Sequence, residues 1–101
     1  MKKIENKKCK FLSLEGVENA KYSDLINYCI RRVPAEGLNG DLILRIVSIH
    51  GSLEKMEFGD EDYKILTAFV RRTTWGQPHT MMDIDALKEI DQFIKDVCNM
   101  E

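Results

Sequence analysis

From Tyr22 onward, apolar side chains recur every three or four residues, at Tyr22, Leu25, Ile26, Cys29, Ile30 and Val33, until Pro34 stops the pattern. Residues three and four apart lie above one another on an α-helix, so this spacing predicts a helix over about residues 23–33. The same punctuation continues down the chain. Asn39 or Asp41 offers an N-cap for a second helix carrying Leu42, Ile43, Leu44, Ile46, Val47, Ile49 and Leu53, which is apolar on most sides. Asp60, Glu61 and Asp62 follow Gly59 and complement the positive end of a third helix, over about residues 60–73, that buries Tyr63, Leu66, Phe69 and Val70. After Trp75-Gly76-Gln77-Pro78, Thr80 with Asp83 resembles a capping box for a fourth helix. Ile84, Leu87, Ile90, Ile94 and Val97 face inward on it, with Phe93 beside that stripe.

Two shorter segments read as strands. Phe11, Leu12 and Leu14 lie in a polar-flanked run over residues 8–15 that ends at Gly16, and Lys55-Met56-Glu57-Phe58 alternates in character. Pairing residues 8–15 with 55–58 gives a two-stranded ribbon that survives only when packed on helices. A rival reading stays open at this level. The branched residues of 42–49 could instead form a hairpin with 52–58 through His50-Gly51. The expected fold is mainly α, a compact bundle of about four helices with a small two-stranded β ribbon.

With 101 residues, the chain has room for one core. The reading sets residues 1–7 apart as a basic, flexible N-terminus and takes 8–101 as a single helical domain. A composition 44% hydrophobic and 32% charged, with two prolines and six glycines, argues against disorder. The nearly apolar run 42–49 is broken by Arg45 and Ser48 and falls far short of the roughly 20 residues that cross a bilayer. The lysine-rich start lacks the apolar core of a secretory signal, so a cytoplasmic location is expected, without membrane contact.

Cys9, Cys29 and Cys98 form no C-x-x-C pair, and His50 and His79 share no ligand spacing, so reduced thiols and no metal are expected. No G-x-x-x-x-G-K-[ST] or G-x-G-x-x-G motif occurs, and the glycines of Gly37-Leu38-Asn39-Gly40 read as turn residues. Nor does any serine or cysteine neighbour His79 to make a nucleophile and base pair. No cofactor, no catalytic residue and no enzymatic activity are therefore expected.

Residues 1–10 carry five lysines and one glutamate, which leaves the rest of the chain at −6 against a whole-chain charge of −2. A body this acidic is a poor general nucleic-acid binder. A helix-turn-helix over residues 33–46 would expose Leu42, Ile43 and Leu44 with only Arg45 to touch DNA. The most informative charges are Arg31-Arg32 and Arg71-Arg72, each in the last turn of an expected helix. Cations are favoured there by about 0.3–1 kcal/mol, which is sufficient reason for them. If the helices alternate up and down, both pairs fall at one end of the bundle with Trp75 and His79, where they would suit phosphate, an acidic peptide or stacked single-stranded bases. The over-apolar second helix points instead to a protein partner, with self-association through Leu42, Ile43, Ile46 and Ile49.

The order of Glu36-Gly37-Leu38, Arg45-Ile46, Asp60-Glu61-Asp62-Tyr63 with Leu66, then Trp75 and a closing amphipathic helix, resembles small uncharacterised accessory proteins of tailed phages and prophages. The resemblance covers about residues 22–97. It implies an accessory role, in virion assembly or in binding a host protein, and supplies no catalytic residues.

Overall fold

Each stretch of helical spacing forms a helix in the computed structural model, which describes residues 1–10, 12, 18–32, 37–75 and 84–99. In chain order the elements are β1 (Lys2–Lys3), α1 (Tyr22–Ile30), α2 (Gly40–Ser52), β2 (Glu57–Phe58), α3 (Asp60–Arg72) and α4 (Ile84–Cys98). The fold is mainly α, with a small antiparallel sheet of β1 and β2.

Local chemistry sets the helix starts. The Asp24 carboxylate accepts the Lys21 N–H at 3.0 Å and opens α1. Asn39 caps α2, its Oδ1 accepting the Leu42 N–H at 2.8 Å. That cap settles the rival reading. His50 and Gly51 lie inside the last turn of α2, and the chain reverses over residues 53–56, where Met56 takes a φ of 55°. The expected end of α1 at Val33 and Pro34, and the Thr80 capping box of α4, lie outside the described residues.

The ribbon forms with a different N-terminal partner. Lys2 pairs with Phe58 and Lys3 with Glu57, rather than residues 8–10 or 12 of the expected segment 8–15, whose other residues lie outside the described ones. Ile4 decides the register: its side chain is only 2% exposed, and its N–H donates to the Met56 carbonyl at 2.9 Å. Within residues 1–7, β1 and Ile4 are tied into the body. Residues 7, 9 and 12 find other partners. Tyr22 N–H donates to Lys7, Cys9 N–H to Ala20, and Ala20 N–H to Leu12.

One core joins these elements, with Phe58, Phe93, Leu12, Leu25, Ile26, Ile49 and Leu66 among its fully buried side chains. Two carboxylates stitch its edges. Asp62, 6% exposed, accepts hydrogen bonds from Ser48 Oγ and from Arg45 Nη1, while Arg45 Nη2 pairs with Glu61 at 3.1 Å. The acids that open α3 therefore also fasten it to α2.

Asp96 of α4 accepts Tyr22 Oη at 2.6 Å, Gln92 Nε2 at 2.7 Å and Lys7 Nζ at 3.2 Å. Burial raises the pKa of its carboxyl, but these three donors outweigh burial and hold it below the ordinary aspartate value. A depressed native pKa contributes stability above the unfolded value and loses it as pH falls through the native one. Asp96→Asn is thus expected to be less stable than the wild type at pH 7, with the gap closing below about pH 4. Chemical denaturation of both proteins across that range checks it; a gap that widens on acidification contradicts it.

Candidate interaction surfaces

The expected self-association set divides between two faces of α2. Ile49 is fully buried, and Leu42 and Ile46 pack partly against the core, so of the four only Ile43 is exposed. The reason is helical geometry: residues 42, 46 and 49 share one face, which the core claims. The outward face carries Ile43, Leu44 and Val47 at 46%, 68% and 65% exposure. Leu38, in the turn before α2, is exposed as well. Leu44 and Val47 lie one turn apart with Ile43 beside them, and Gly40 and Gly51 continue the same face above and below. A Cβ added at either glycine would meet nothing within 4 Å. The over-apolar composition pointed to this helix, but only fixing its inward face identifies which residues are left outside.

The ends of α1 and α3 do come together. Tyr28 Oη donates to the Thr74 carbonyl at 3.4 Å, linking the last turn of α1 to the residues after α3. The guanidinium groups, however, turn to separate partners. Arg32 lies 4.9 Å over the Tyr28 ring and donates to its hydroxyl at 2.6 Å. Arg72 lies 5.7 Å over Phe69, and Arg71 reaches the Cys98 thiol. Arg31 is exposed beyond α1, and Arg31, Arg32 and Arg71 form no ion pair among the described residues. Trp75 is half-buried rather than an open platform: it stacks on Tyr28 at 5.6 Å and meets Phe93 edge-on at 5.8 Å. His79 lies outside the described residues.

The three cysteines are all free and buried. Burial pushes Cys29 up to about 12, against the opposing pull of Thr73 and Arg32. Burial, with Glu89 nearby, pushes Cys9 up to about 11, and burial likewise raises Cys98. Because the thiolate is the reactive form, a thiol reagent at pH 8 is expected to label all three far more slowly in the native protein than in denaturant. Rapid labelling of the native protein would contradict this.

Among the described residues no group of three or more His, Cys, Asp or Glu side chains is placed to hold a metal ion. No described helix is long and apolar enough to cross a membrane. Comparison of the chain with protein-family models, with curated proteins and with solved structures finds no match.

Proposed function

We propose that this chain is a non-enzymatic interaction protein of the cytoplasm, an accessory factor of the phage or prophage kind its sequence resembles, that offers the outward face of α2 to another protein. One observation carries the reading: Leu44 and Val47 stay largely exposed on a helix that already buries Ile49. Apolar area removed from water stabilises by about 25 cal/mol per Å², so covering such a strip drives association. A second copy of the chain is the first partner to test. Light scattering on the wild type should show mass rising with concentration if the face pairs with itself, and L44D/V47D should stay monomeric. A wild type monomeric at every concentration would remove self-pairing and leave another protein as the partner.

A second reading has its own support. Arg31, Arg32 and Arg71 lack acidic partners among the described residues, which suits an anionic ligand. Salt-dependent binding of a labelled oligonucleotide, lost in R31A/R32A/R71A/R72A, would favour it over the α2 face. Binding unaffected by those substitutions would reject it.

A further inference from the structure

The helix α4 is attached differently from the other three. Helices α1, α2 and α3 pack on one another, whereas the helix that α4 chiefly packs against is α3. Its polar attachments to the N-terminal part of the chain include those of two carboxylates seven residues apart, Glu89 and Asp96. The Glu89 carboxylate accepts the backbone N–H of Lys10 at 2.7 Å through Oε2 and that of Leu12 at 3.0 Å through Oε1. Asp96 takes Lys7 Nζ and Tyr22 Oη.

Position along the chain makes the donors of residues 7, 10 and 12 a track. Lys7 meets residue 96 while Lys10 and Leu12 meet residue 89, so the segment runs antiparallel to α4. Seven helical residues rise about 10.5 Å, close to the reach of four extended residues, about 13 Å. The track belongs to the α1 side of the molecule, because Lys7, Cys9 and Leu12 are backbone-bonded to Tyr22 and Ala20. Backbone N–H groups donated to a carboxylate make charge-assisted bonds, stronger than neutral ones.

We propose that α4 is a latch: it docks on this track through Glu89 and Asp96, and it opens as one unit while α1, α2 and α3 remain packed. The open state uncovers the stripe of Ile90, Phe93 and Val97, all buried when the latch is shut. Local opening of a structural unit at lower free energy than global unfolding is ordinary in small domains, and its signature is measurable amide by amide.

Hydrogen exchange of the full chain tests it. In E89Q/D96N, amides in residues 84–98 and those of Lys10 and Leu12 should exchange at least tenfold faster than in the wild type, while amides in α1, α2 and α3 keep their rates. Equal acceleration in all four helices, or no acceleration in α4, overturns the proposal. Should the double variant fail to fold, the wild type in low urea gives the same decision. Its α4 amides must exchange with a smaller urea dependence than those of α1 and α3, and a single common dependence would reject the latch.

Discussion

Phe58→Ala is expected to cost about 3–5 kcal/mol of unfolding free energy, the range for deleting a buried aromatic ring. Phe58 has 0% exposure and stands where β2 pairs with β1 and leads into α3. The surrounding side chains come from separate elements of one core, so they close only partly over the space the ring leaves. Against a domain stability of about 5–15 kcal/mol the loss is severe, and the melting temperature should fall by more than about 12 °C. Urea denaturation monitored by circular dichroism checks it, with the midpoint displaced and the slope kept. A loss below about 1.5 kcal/mol would mean that Phe58 does not occupy a tightly packed core.

The second large effect is on binding rather than folding. L44D/V47D places two carboxylates where an interface would have to bury them. Burying an unpaired charge costs several kcal/mol, so affinity for a partner on this face should drop by at least about a hundredfold. Stability should change by no more than about 1 kcal/mol, since both side chains already face solvent. The contrast with Phe58→Ala is the informative part: one substitution harms the fold, the other only the face.

Much of the architecture is legible in the residues, because apolar spacing at three and four encodes which face of a helix meets a core. Tyr22, Leu25, Ile26, Cys29 and Ile30 were enough for α1, and all five are buried. The β1 pairing was hidden, because a strand of two lysines has no alternation to read and its anchor is the single residue Ile4. Asp62 reads as one of three helix-opening acids, and nothing local reveals that Arg45 and Ser48, on a different helix, meet it. Glu89 is likewise silent in sequence, since its partners are backbone N–H groups that every residue carries. The arginine pairs illustrate the limit of topology: their helix ends do adjoin, but the direction of each guanidinium depends on which ring or thiol lies beside it. The outward face of α2 was half legible, since excess apolarity identifies the helix while tertiary packing chooses Ile43, Leu44 and Val47 over Leu42, Ile46 and Ile49.

The most direct test of the interaction reading is a capture experiment on bacterial lysate treated with nuclease and supplemented with a differently tagged second copy of the chain. Tagged wild type and tagged L44D/V47D are compared side by side, with R31A/R32A/R71A/R72A as a third bait. A stoichiometric protein, the second copy or another chain, is expected on the wild type and on the arginine variant and is expected to be absent from L44D/V47D. Retention of that protein by L44D/V47D, or its loss from the arginine variant alone, would rule out the outward face of α2 as the binding surface.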